Sequence, residues 1–118
     1  MNWSVMQTPG FTRLWRGEKL TDSDLQLLEK EVMADPSAWP VMKGTGGLRK
    51  LRFAPASRGR GKSGSMRIGY AQFPDYGMIL LVTLFLKKDD ASLSRRDQNE
   101  IAAFLANFHI ELERGASL

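Results

Sequence analysis

Lys50, Arg52, Arg67 and the pair Lys87-Lys88 are the side chains of this sequence best placed to act together. Successive residues of a strand point to opposite faces, so Lys50 and Arg52, two apart, project from the same one. Arg67 opens a second strand-like segment and Lys87-Lys88 follow a third, so strand pairing is expected to gather all five cations on one concave surface. Gly69 and Ala71 share the face of Arg67, and their small size predicts a shallow surface open enough to admit a nucleotide. Guanidinium and ammonium groups arranged in this way grip a polyanion, of which nucleic acid is the commonest. A merely solvated basic face accounts for the residue types equally well.

The charge pattern sharpens this reading. Formal net charge is +4, yet residues 1–35 carry four bases and six acids, residues 75–118 five bases and seven acids, and residues 36–74 eight bases and no acid. A segment so one-signed repels itself, and is either a solvated loop surface or a polyanion site. Other chemistries are poorly served. Residues 56–63 fit a relaxed phosphate-loop pattern ending in Gly61-Lys62-Ser63, but such a loop follows a buried strand and opens a helix. Here a strand with outward charges precedes it and Met66-Arg67-Ile68-Gly69-Tyr70 reads as another strand. His109 is the only histidine, which excludes a paired-histidine ribonuclease mechanism. It falls at the edge of an apolar helical stripe, the place of a structural or partly exposed side chain. The acids gather around no centre, and Asp89 and Asp90 read as loop residues. With no cysteine there is neither a disulfide nor a thiolate metal site, and no metal is expected.

These cations need elements to position them. A chain of 118 residues, 42% of them hydrophobic and 9% aromatic, supports one ordinary core, hence a single domain over residues 1–118. No signal peptide is read at the amino terminus. The longest uncharged apolar run, residues 78–86, is far short of the roughly 20 residues a membrane-crossing helix needs. A cytoplasmic protein with no membrane partner is expected.

Trp3 and Val5 alternate with polar neighbours as a short strand does. Thr8-Pro9 then supplies an N-cap and a first-turn proline for a short helix carrying Phe11, Leu14 and Trp15, which Gly17 ends. Thr21 and Asp24 have capping-box spacing at the head of a second helix, with Leu25, Leu28, Val32 and Met33 as its apolar stripe and Asp35-Pro36 as its stop. Strand-like residues follow near Val41 and Met42, and again over 48–54, where Leu51 and Phe53 face inward. Residues 54–65, rich in glycine, serine and cations, read as a mobile basic loop. A strand over Met66–Phe73 places Ile68 and Tyr70 inward. Pro74-Asp75-Tyr76-Gly77 makes a turn. The apolar run over 78–86 suits a central strand buried on both faces. Ser94, with Asp97 at the third helical position, caps a last helix whose Ile101, Phe104, Leu105, Phe108 and Leu112 would pack on the sheet. The sum is an α+β domain: an antiparallel, mixed-edge sheet of about four strands, two N-terminal helices and a C-terminal helix.

At these residues the chain resembles the RelE/HigB toxins of type II toxin–antitoxin systems, and most closely the HigB-like branch of the RelE/ParE superfamily. The likeness covers nearly the whole chain. Its most specific part is Lys43-Gly44-Thr45-Gly46-Gly47-Leu48-Arg49-Lys50-Leu51-Arg52, then the basic glycine-rich loop, then Met66-Arg67-Ile68-Gly69-Tyr70, then the apolar strand leading to Lys87-Lys88. The resemblance implies a RelE-like fold and a metal-independent, cofactor-free endoribonuclease, an mRNA interferase, acting on messenger RNA in the ribosomal A site. It implies as partners a cognate antitoxin encoded beside it, the messenger RNA and ribosomal RNA, with operator DNA reached only through the antitoxin.

Carried over residue by residue, the family's catalytic positions fall on Lys50, Arg52, Arg67 and Lys88, with Lys87 as neighbour; the candidate RNA contacts are Lys43, Arg49, Arg58, Arg60, Lys62 and Lys87. In such chemistry a deprotonated ribose 2′-hydroxyl attacks the adjacent phosphate, charge on the phosphorane is stabilised, and the 5′-oxygen takes a proton. Arginine stays protonated, so the resemblance makes Arg67 the fork on the scissile phosphate and Arg52 its helper or the proton donor. Lys50, crowded by other cations, takes the role of base. The chain departs from the pattern at residues 91–94, which offer no aromatic where some family members place a catalytic tyrosine. Tyr70 has the strand parity of a core residue rather than of a base-stacking one. Trp39 and the first two helices are candidate antitoxin anchors, with a buried Trp39 the plainer expectation. The alternative is a non-catalytic RNA binder or a ParE-like gyrase inhibitor of the same fold, and the basic set argues against gyrase.

Overall fold

The computed structural model describes residues 2–58, 65–85 and 93–116. Capping chemistry sets the two N-terminal helices. Thr8 adopts an extended backbone and its hydroxyl accepts from the Phe11 amide at 2.9 Å, with Pro9 in the first turn, so α1 runs Pro9–Gly17. Thr21 and Asp24 form a reciprocal capping box at the head of α2, Asp22–Ala34, which ends at Asp35 before Pro36.

Four strands make one mixed sheet: β1 (Ser4–Gln7), β2 (Arg49–Phe53), β3 (Met66–Phe73) and β4 (Met78–Phe85), in the order β1-β4-β3-β2. β1 lies parallel to β4 at one edge, and the remaining pairs are antiparallel. The strand signal near Val41 is a single bridge to Arg49. Pro74–Tyr76 forms a short 3-10 turn closed by Gly77, whose φ of +57° is the left-handed conformation that glycine takes without strain. After the residues that follow β4, Ser94 accepts from the Asp97 amide at 3.0 Å and α3 spans Arg95–Ala116.

The sheet is covered on both faces, unequally. One face meets α1 and α2 through Phe11, Trp15, Leu28, Val32, Leu51, Phe53, Ile68, Tyr70, Ile79 and Leu81, with Trp15 lying between Phe11 and Phe53 at centroid distances of 5.6 and 6.3 Å. The other face meets α3 through a smaller cluster, Leu48, Ala71, Leu80, Phe85 and Leu105, joined by Ile101 and Phe108. β4 is therefore central and buried on both sides, as its uninterrupted apolar run requires. α3 departs from expectation in its stripe: it packs by Ile101, Leu105 and Phe108, while Phe104 remains 43% exposed and Leu112 lies outside the packed cluster. Among the described residues no helix is long and apolar enough to cross a membrane.

Candidate nucleic-acid interface

Strand register determines which cations meet. In the antiparallel β2–β3 ladder Arg52 lies directly opposite Arg67, and Lys50 lies opposite Gly69. On the other side of β3, Arg67 is opposite Phe85 and Gly69 is opposite Thr83, with a β-bulge between Gly69 and Tyr70 restoring this pairing. Lys50, Arg52 and Arg67 thus occupy one face of two neighbouring strands, the face that also carries α3. Arg52 is exposed, and Lys50 and Arg67 are half-buried.

Directly opposed residues hold their Cβ atoms about 5 Å apart, so like charges there repel, costing roughly 0.2–1 kcal/mol unless an anion lies between or above them. An anion held above the pair would let two guanidinium forks share one charge. Lys50 is ordered differently: its Nζ sits 5.4 Å from the centroid of the Phe85 ring, which holds the amine against the sheet by cation–π attraction.

The expected hollow beside Arg67 does not form. A Cβ placed on Gly69 would stand 3.0 Å from Thr83 Cγ2, 3.1 Å from Phe85 Cε2 and 3.3 Å from Leu48 Cδ1, so these side chains close over the glycine. Ala71 is likewise buried beneath the α3 cluster. The small residues make room for packing, and of the cations Lys50 lies over the Phe85 ring.

Arg49 is a second correction. It shares the parity of Leu51 and Phe53, and so faces away from Lys50 and Arg52. Its guanidinium donates to the carbonyls of Trp39 and, at 3.3 Å, Ser37, fastening the chain between α2 and β2. It is a structural cation and not part of the shared face. Lys43 is exposed at the head of the loop into β2. Arg58 closes the short turn Ala56–Arg58, while Arg60, Lys62, Lys87 and Lys88 lie outside the described residues.

Tyr70 and Trp39 are placed as their patterns suggested. Tyr70 is fully buried; its hydroxyl donates to the Pro36 carbonyl at 2.7 Å, and desolvation raises its proton affinity above that of an ordinary phenol. Trp39 is half-buried against the larger core. The Gly61-Lys62-Ser63 pattern lies outside the described residues, and the next described element is strand β3. His109 is partly exposed, between Phe73 and Tyr76. Among the described residues no group of three histidines or carboxylates is placed to hold a metal ion.

Three contributors escaped the sequence reading. Phe85 backs the cations only because of the bulge. Thr45, fully buried, knots the loop before β2: its hydroxyl donates to the Met42 carbonyl at 2.7 Å and accepts from the Leu48 amide at 3.0 Å. Asp24 does more than cap α2, because its carboxylate also accepts from the Ser57 hydroxyl and so fixes the start of the basic segment. Burial alone would raise its proton affinity, but the donors on Ser57 and Thr21 together hold the carboxyl below its usual range. No family model matches the chain.

Proposed function

We propose that the protein is an endoribonuclease toxin of the RelE/HigB kind, a metal-independent mRNA interferase acting on ribosome-bound messenger RNA in the cytoplasm and neutralised by a cognate antitoxin. The observation that carries this reading is the cross-strand ladder: Arg52 opposite Arg67, with Lys50 two residues along the same strand and backed by Phe85. The sheet thereby presents two guanidinium forks and an amine to one stretch of phosphodiester.

In the proposed step, the neutral amine of Lys50, having released its own proton, takes the proton of the ribose 2′-hydroxyl and the oxygen attacks the adjacent phosphorus. Arg67 grips the non-bridging oxygens and, with Arg52, neutralises the charge that builds on the phosphorane. The bond to the 5′-oxygen breaks as that atom takes a proton from Arg52 or Lys88. The products are a 2′,3′-cyclic phosphate and a 5′-hydroxyl, and no cofactor enters the balance. The antitoxin would silence this face by covering it with an acidic segment, and would carry the complex to operator DNA.

The test is growth arrest together with mapped 5′ ends of messenger RNA after pulsed expression, comparing the parent with Arg67→Ala. Cuts within coding regions that vanish in a folded Arg67→Ala protein are the expected result. Arrest without cuts would favour a non-catalytic binder, and cuts that survive the substitution would move the centre elsewhere.

A further inference from the structure

The same sheet face ends very differently at the far end of β3. Arg67 and Phe73 are six residues apart on one strand, hence about 20 Å. There the β3–β4 turn meets the C-terminal half of α3 around a cavity of about 200 Å³ lined by Gln72, Phe73, Asp75, Tyr76 and His109. The His109 ring stands 5.9 Å from Phe73 and 5.8 Å from Tyr76, edge-on to the latter at 77°. Glu113 reaches His109 Nε2 at 3.7 Å.

Three rings and the Asp75 carboxylate therefore line one cavity, with Glu113 behind His109. The Tyr76 hydroxyl registers the local field: its proton affinity is raised by desolvation first, then by Glu113 and Asp75. Arg114, next to Glu113 in sequence, is engaged by Glu111 at 2.9 Å. Such a setting repels a phosphodiester and attracts a cation, because ring faces and carboxylates both favour positive charge. A planar cation fits best, since guanidinium stacks on a ring face while its edge donates to carboxylates. We propose that this pocket receives the guanidinium of an arginine side chain presented by a protein partner. The inference is independent of the RNA reading, since it concerns other residues at the opposite end of the sheet.

His109 is the single histidine and Tyr76 one of two tyrosines, the other buried, so both give assignable NMR signals in the intact protein. The probe is acetyl-arginine amide, titrated while the ring resonances of His109 and Tyr76 are followed. Acetyl-citrulline amide serves as the uncharged isostere. A saturable shift of both rings is expected, with a midpoint on the order of millimolar for so exposed a site. Citrulline amide should leave the rings unmoved. Asp75→Asn, at an exposed turn position, should weaken binding several-fold with the remaining spectrum unchanged, and Tyr76→Leu should do the same. Equal response to citrulline amide, or no saturation with arginine amide, would overturn the proposal. A response to adenosine or uridine monophosphate in place of arginine amide would overturn it too, and would make the pocket a base-stacking site.

Discussion

Phe53 and Arg52 are neighbours in β2, yet one is sealed beneath α1 and the other is exposed to solvent, and this contrast runs along the whole sheet. On the α1–α2 face Leu51, Phe53, Ile68, Tyr70, Ile79 and Leu81 are buried in the larger core, with Trp15 and Phe11 stacked above. The α3 face has a smaller core, and its β2–β3 end carries Lys50, Arg52 and Arg67. The comparison separates two duties: one face supplies stability, and the other can hold residues that cost stability and serve a ligand.

The largest effect should come from the sealed face. Phe53→Ala removes a fully buried ring from the Trp15 contact and should destabilise the fold by about 3–5 kcal/mol. Urea unfolding would measure it. A small loss would mean that the two faces do not divide their duties in this way.

Next in size is Arg67→Ala. Losing one charge-stabilising donor typically costs about 10²–10³ in rate, so cleavage of ribosome-bound messenger RNA should fall by that factor while the unfolding midpoint barely moves. A comparable fall in stability would make Arg67 structural.

Asp24→Asn tests the tie between the sealed face and the basic segment after β2, since Asp24 both caps α2 and holds Ser57. It should cost about 1–2 kcal/mol at neutral pH. The carboxyl of Asp24 is held below its unperturbed value of 3.8. Its stabilisation is therefore complete above that pH and is lost as pH falls through the lower, folded value. Parent and variant should accordingly converge in stability on the acid side, in unfolding curves collected from pH 7 downward.

The smallest effect has the opposite sign. Arg52→Ala relieves the cross-strand repulsion and should raise stability by a few tenths of a kcal/mol at low salt, while weakening RNA cleavage. Calorimetry at two ionic strengths would show whether the gain fades with screening.

Much of this architecture could be read from the chain because local chemistry marks it. Thr8-Pro9, the Thr21–Asp24 box and Ser94 each mark a helix start, and alternation placed β3 over Met66–Phe73 as observed. Parity also put Lys50 and Arg52 on one face. The same parity was available for Arg49, whose match to Leu51 and Phe53 assigns it to the opposite side. What could not be read depends on contacts between distant segments. No local signal tells that β1 joins β4 in parallel, that a bulge turns Phe85 beneath Lys50, or that Ser57 meets Asp24 across 33 residues. Gly69 and Ala71 look like an open floor until Leu48, Thr83 and Phe85 are seen to fill the space. The meeting of Tyr76 with His109 likewise exists only once α3 is docked.

The central claim is that the Lys50–Arg52–Arg67 face cuts RNA through the ribose 2′-hydroxyl. The most direct measurement uses ribosomes programmed with a short messenger RNA, first to map the cut and then to repeat it with a single 2′-deoxynucleotide on the 5′ side of that bond. The account predicts a 2′,3′-cyclic phosphate and a 5′-hydroxyl from the all-ribose message, and an intact message when the one hydroxyl is missing. Cleavage of the 2′-deoxy message at the same bond, or a product ending in a 5′-phosphate, would contradict it.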